Sequence, residues 1–236
     1  MSRQLALGIE LDVAATFDSF LAEGSAEAVA ALRHVSEGLS SGPLWICGAP
    51  GVGKSHLLQA ACRVKSERGG SAMYVPLSQS RQLDPGILEG CEAIDLLAID
   101  DVDAVAGDAR WESALFAAIN AFLLSGAPLL LAAGVVPREV GFSLPDLSSR
   151  AGAHVVYRIA ALSDTGLATL VAQRARERGL QLDASAAQYL LRRVPRDVRV
   201  LEEWLARLDR ASLAAQKRVT VALVRALLAQ HGHAPG

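Results

Sequence analysis

The sequence predicts an α/β domain built on a parallel sheet, followed by a small all-helical domain. Three observations carry that prediction. Short apolar runs alternate with longer amphipathic segments as far as about residue 160, the signature of βαβ units. A glycine-rich turn, Gly48-Ala49-Pro50-Gly51-Val52-Gly53-Lys54-Ser55, follows the first buried run and opens a helix. Beyond Val156 only helical periodicity remains. The expected organisation is a tail over 1–15, an α/β domain over 16–160 and a helical lid over 161–236.

Each element has its own local reason. Ser25 is placed to cap a helix over Ala26–Glu37, whose Val29, Ala30, Leu32 and Val35 recur at helical spacing until Gly42-Pro43 breaks the pattern. Leu44–Cys47 is a continuous apolar run, expected as a buried strand. The helix after the glycine turn should span Lys54–Glu67 and stop at Gly69-Gly70. Residues 72–77 read as a strand, the polar stretch 79–91 as carrying a short helix, 96–99 as a buried strand, 111–124 as a helix and 128–133 as a further strand. The lid should hold helices over 163–179, 183–194 and 196–216, with a last one capped by Thr220 and running to about Gln230.

Composition excludes several classes. Of 236 residues, 51% are apolar and 20% charged, so disorder is not expected as the main state. The most apolar stretch, 127–136, is half of the roughly 20 residues a spanning helix needs. The N-terminus lacks the charged-then-apolar pattern of a secretory signal. Cys47, Cys62 and Cys91 show no C-x-x-C spacing and read as buried thiols of a reducing compartment, so a cytoplasmic location is expected. The net charge of −2 hides an asymmetry: residues 1–150 carry −8 and residues 151–236 carry +6. Either the basic unit faces something acidic, or an arginine-rich lid simply offsets an acidic domain.

The glycine turn fits G-x-x-x-x-G-K-[ST] at every fixed position. Gly48, Gly51 and Gly53 let the backbone curl so that successive N–H groups converge on a phosphate at a helix N-terminus. Lys54 would meet the β/γ oxygens and Ser55 the Mg²⁺ ion. Pro50, Val52 and His56 complete the expected nucleotide-binding set, His56 as a packing neighbour. The second acid such a site needs is supplied by Leu96-Leu97-Ala98-Ile99-Asp100-Asp101: Asp100 reaching the metal through water, Asp101 polarising an attacking water. Asp103 reads equally as the cap of the next turn. Trp111 and Trp204 are expected in the cores. Arg150 lies just before an expected strand at the domain edge, and Arg199 in the first turn of the long lid helix. On the bare sequence a surface ion pair is the plainer reading of both.

Taken together, the phosphate motif, LLAIDDVDAVAGD-x-x-WE, the LPDLSSR box and VPRDVRVLEEWLARLDRASL resemble a AAA+ ATPase of the DnaA type. Within that group the chain is similar to the Hda family of DnaA regulatory inactivators, over residues 16–228. Six residues follow the last expected helix, so the helix-turn-helix DNA reader of DnaA is not expected here. The tail Gln4-Leu5-Ala6-Leu7-Gly8-Ile9 resembles the family's peptide for the DNA polymerase III β sliding clamp, with Leu5, Leu7 and Ile9 entering an apolar pocket and Gln4 making the polar contact. The resemblance implies that a clamp-bound protein meets ATP-bound DnaA and that Arg150, as an arginine finger acting in trans, completes DnaA's hydrolytic site. It implies Arg199 as the lid arginine that senses nucleotide, residues 16–20 as part of an adenine pocket, and ADP or ATP with Mg²⁺ as cofactor. The association with the nucleoid would run through the clamp, and DNA contact would be indirect or non-specific. A homo-oligomer stays open. One departure stands out. Where DnaA carries a polar sensor, this chain reads Leu131-Ala132-Ala133-Gly134-Val135, which points to nucleotide binding with slow intrinsic turnover. A helicase-loader-type or stand-alone ATPase, and an initiator lacking its reader, are the competing expectations.

Overall fold

Parity along the strands explains the architecture. In the computed structural model, which describes residues 11, 12 and 14–230, five parallel strands pair in the order β2-β3-β4-β1-β5. They are β1 (Leu44–Cys47), β2 (Ala72–Pro76), β3 (Leu96–Asp100), β4 (Leu129–Ala133) and β5 (Val155–Arg158). Trp45, Cys47, Leu97, Ile99, Leu129 and Leu131 point to one face, where α3 (Ala109–Ser125) and α4 (Pro145–Gly152) bring Trp111, Leu115, Ile119, Phe122 and Leu147. Leu44, Ile46, Leu96, Ala98, Leu130 and Ala132 point to the other, against Leu32, Val35, Leu57, Leu58 and Ala61 of α1 (Ala26–Glu37) and α2 (Lys54–Glu67). Burial on both faces is what makes these strands continuous apolar runs. Each fully buried leucine is worth roughly 1.5–3 kcal/mol.

A second compact unit begins at Leu162. It contains α5 (Asp164–Glu177), α6 (Ala184–Leu191), α7 (Val198–Ala215) and α8 (Val221–Gln230). These helices share a core of Leu167, Val171, Leu190, Leu201, Leu205 and Val224. The first and third helices are capped, Ser163 accepting from the Gly166 N–H and Asp197 from the Arg199 N–H.

The structure corrects several local expectations. Ser25 does not cap α1 with its side chain; its Oγ accepts from the Ala160 N–H at 2.9 Å and ties the helix start to the end of the α/β unit. The stretch 79–91 holds no single helix but is divided among three short 3-10 turns, Leu77–Gln82, Pro85–Leu88 and Cys91–Ala93, with Pro85 starting the second and Gly90, at positive φ, preceding the third. Arg150, expected just before a strand, lies in the last turn of a helix the sequence did not suggest, α4, with β5 beginning at Val155. The cysteines are free and buried, and burial pushes the Cys62 thiol up to about 12 and the Cys91 thiol to about 11. Trp111 and Trp204 are both buried in their cores. Among the described residues no helix is long and apolar enough to cross a membrane.

Candidate phosphate-binding site

Strand order brings the motifs together. β4 lies between β1 and β3, so the glycine loop after β1, Gly134 after β4 and Asp100-Asp101 at the end of β3 share the carboxyl edge of the sheet, where open parallel sheets bind ligands.

The three motif glycines serve two different purposes. Gly51 and Gly53 have φ of +78° and +98°, a region side chains avoid. Gly48 has no such backbone; a Cβ there would lie 2.6 Å from the Ile159 carbonyl oxygen, so close approach of β5's exit excludes a side chain. Lys54 is buried and its Nζ donates to the carbonyls of Gly48 and Ala49 at 2.8 and 3.2 Å. The ammonium is thereby held at the loop, beside the N-terminus of the 14-residue α2.

Asp100 is 1% exposed. Burial pushes its carboxyl above the ordinary range, opposed first by the Ser55 hydroxyl; the neighbouring Asp101 charge adds to the rise, while the Tyr74 hydroxyl and the Asp101 N–H lower it. Tyr74 Oη donates to Asp100 Oδ2 at 2.7 Å, and the Asp101 N–H to Oδ1 at 2.9 Å. Asp101 itself has φ of +52°, a strained conformation that aspartate tolerates better than most residues. Asp103 does not cap a turn: its Oδ2 accepts from the Gly134 N–H at 2.9 Å, where a Cβ on Gly134 would crowd the same oxygen at 2.9 Å. A side chain at Gly134 would therefore have to displace the Asp103 carboxylate.

His56 turns away from the loop. Its Nε2 lies 2.8 Å from the Thr16 carbonyl and 3.3 Å from Ser19 Oγ, and its ring faces Phe20 at 5.8 Å. Phe20 in turn packs over Gly53. The 16–20 segment is thus fastened beside the phosphate loop, with Pro50 exposed and Val52 half-buried within that loop.

The arginines are exposed. Arg150 has no carboxylate within 4.0 Å among the described residues, whereas Arg199 in the lid unit lies 3.4 Å from Asp197 Oδ2. Gln4, Leu5, Leu7 and Ile9 fall outside the described residues. Tyr74 and Glu112 escaped the sequence reading. Tyr74 pairs with Ala98 and Pro76 with Asp100, so alternation along β2 and β3 was the available signal for Tyr74.

The residues fit a nucleotide phosphate with a divalent cation. A buried ammonium and positive-φ glycines suit the anion, and Ser55 with Asp100 suits Mg²⁺, which takes one or two protein oxygens beside phosphate. Among the described residues no cluster of three or more His, Cys, Asp or Glu would hold a metal alone.

Comparison with known proteins agrees with this layout. Domain III of the Thermotoga maritima replication initiation protein DnaA superposes with a TM-score of 0.80 at 20% identity, covering 94% of this chain and 98% of that one. AMPPCP-bound DnaA from Aquifex aeolicus gives 0.74 at 24% identity, covering 88% of this chain and 68% of that one. The Thermotoga maritima RuvB Holliday junction branch migration motor gives 0.67 at 16%, covering 89% and 69%. At these identities the likeness establishes the fold, and a fold hosts many functions. The lid narrows the choice, because the family described as Hda, lid domain, matches residues 164–228. The chain thus has the fold of these DnaA structures, and its residues 164–228 match the family described as Hda, lid domain.

Proposed function

We propose that this protein is a regulator of DnaA: it binds ADP or ATP with Mg²⁺, docks on the DNA polymerase III β sliding clamp and stimulates hydrolysis of ATP held by DnaA. The observation that carries the reading is an Hda-family lid at residues 164–228 on a DnaA-type core. The nucleotide part is supported by the loop geometry around Lys54 and by the AMPPCP in the Aquifex aeolicus relative. The docking part rests on the Gln4, Leu5, Leu7 and Ile9 pattern.

In this reading Gly48, Gly51 and Gly53 shape the phosphate cradle, Lys54 meets the β-phosphate, and Ser55 and Asp100 hold the metal. Mg²⁺, when bound, neutralises charge on the phosphate oxygens. Asp101 stands beside Asp100 to orient water, Arg199 reads the nucleotide from the lid, and turnover at this site is slow because Gly134 offers no polar side chain. Arg150 acts on the partner. Exposed at the end of α4, with no carboxylate within 4.0 Å among the described residues, the guanidinium is available to another molecule's γ-phosphoryl group.

The test is conversion of DnaA-bound ATP to ADP with clamp and DNA present. Arg150→Ala should remove stimulation by about 10³-fold, the lower end for fingers supplied in trans, with ADP and clamp binding intact. Arg150→Lys should rescue little, since an ammonium lacks the planar fork. Full stimulation by Arg150→Ala would place the catalytic arginine elsewhere. Full ATP turnover without DnaA would favour a stand-alone ATPase.

A further inference from the structure

The two residues assigned to the metal are not neighbours in sequence, and each comes from a different element: Ser55 from the first turn of α2, Asp100 from the tip of β3. A third element joins them. Tyr74, in the middle of β2, pairs with Ala98, two residues before Asp100 on the same face of β3. Its ring packs against the apolar layer under α2. Its hydroxyl reaches Asp100 Oδ2 at 2.7 Å, and it also hydrogen-bonds Ser55 and Gln59. Ser55 and Gln59 are four apart on α2, so one helix face presents both to the phenol.

The proton count follows from the donor inventory. The phenol has one proton, and it goes to Asp100. Its oxygen is left to accept from the Gln59 amide and the Ser55 hydroxyl beside it. Gln59 is itself fixed, its Oε1 accepting from the Asp12 N–H at 2.8 Å, which leaves its amide N–H for the phenol. With the Asp101 N–H on Oδ1 and the phenol on Oδ2, both carboxylate oxygens are oriented by donors at 2.9 and 2.7 Å. A buried carboxylate with two fixed donors has one rotamer available, and its remaining lone pairs point in fixed directions.

We infer that Tyr74 is the positioning residue of the Mg²⁺ side of the nucleotide site, holding Asp100 and Ser55 in register for the metal. The inference rests on the nucleotide reading above. Tyr74 touches neither phosphate nor metal in this assignment; it acts through Asp100 and Ser55. Outer-shell partners of this kind typically set metal affinity by 10–100-fold.

The experiment measures the dissociation constant of ADP in excess Mg²⁺ and in EDTA; their ratio is the gain from the metal. Tyr74→Phe keeps the ring and removes only the hydroxyl. It should lower the gain about tenfold while leaving the EDTA constant within about twofold. A purely structural role would shift both constants together and leave the ratio untouched. In an Asp100→Asn background Tyr74→Phe should change the ratio by much less than in the wild type, since only the contact with Ser55 is left for it to act through. An unchanged ratio in the single variant, or an equal further loss in the double variant, overturns the assignment of Tyr74 while the nucleotide site stands. No ADP binding by the wild type in either medium would withdraw the nucleotide reading and this inference with it.

Discussion

Lys54 is a single charge held in place by two backbone carbonyls, at 2.8 and 3.2 Å. Its burial is tolerable only because those carbonyls solvate it, and they release it to a stronger acceptor when a phosphate arrives. Lys54→Ala should therefore abolish most of the thermal stabilisation that ADP confers. At 100 times the dissociation constant the wild type should gain about 2.7 kcal/mol, and calorimetric melting with and without ADP measures the difference. An undiminished shift would remove Lys54 from the phosphate site. At this scale the sequence was legible in kind but not in cause. The motif named Gly48, Gly51 and Gly53 together, yet only the last two need a positive φ; Gly48 is required by Ile159, more than a hundred residues away. Asp103 was unreadable for the same reason. Its partner is the amide of Gly134, a contact that exists only once β4 is laid beside β3.

The helix that carries Arg150 is the element the sequence concealed. α4 has eight residues, and only Leu147 and Ala151 are buried, too few turns for an apolar period to register. Pro145 at its first position was the one start signal. What places α4 is Glu112 of α3, which is 1% exposed. Its Oε1 accepts from the N–H groups of Gly107 and Ser143 and its Oε2 from that of Leu144. Burial pushes this carboxyl up, but the three backbone donors outweigh it and hold the group below its ordinary value. A depressed carboxyl contributes stability that is fully present above the unfolded-state value of 4.5 and fades as pH falls through the folded one. Glu112→Gln presents an amide N–H to at least one of those donors and should cost about 3 kcal/mol at neutral pH. Its stability should also be flatter in acid than that of the wild type. Urea melts from pH 7 to pH 3 test both; a wild-type-like acid profile in the variant would show that Glu112 does not carry the charge-linked part. The same variant should weaken DnaA stimulation, since the segment before α4 loses its anchor.

Across the whole molecule the charge asymmetry becomes specific once pairing is considered. Of the lid's acids, Asp164 engages Arg196, Glu177 engages Arg174, Glu202 engages Arg174 and Arg178, Asp197 engages Arg199, and Glu203 lies 4.0 Å from Arg207. Two of the cations left over share one site. Arg193 and Arg225 both stack on Tyr189, at 5.0 and 5.8 Å, and neither has a carboxylate within 4.0 Å among the described residues. The ring restricts both guanidiniums to one exposed site formed by α6 and α8, so less freedom is lost when they meet an anion. If the protein works at a clamp on DNA, as proposed above, it would find phosphate there. The expectation is weak binding to any duplex, with affinity falling linearly in log–log salt plots. Each phosphate contact contributes about 0.9 to that slope, so Arg193→Ala with Arg225→Ala should reduce it by about 1.8. The loss should be equal for unrelated sequences, because backbone contacts carry no base readout. Anisotropy titrations of two unrelated duplexes at four salt concentrations decide the matter. A slope unchanged by the double substitution would return the cluster to a solvated lid surface, and a footprint at one sequence would require a base-reading element that these two arginines do not supply.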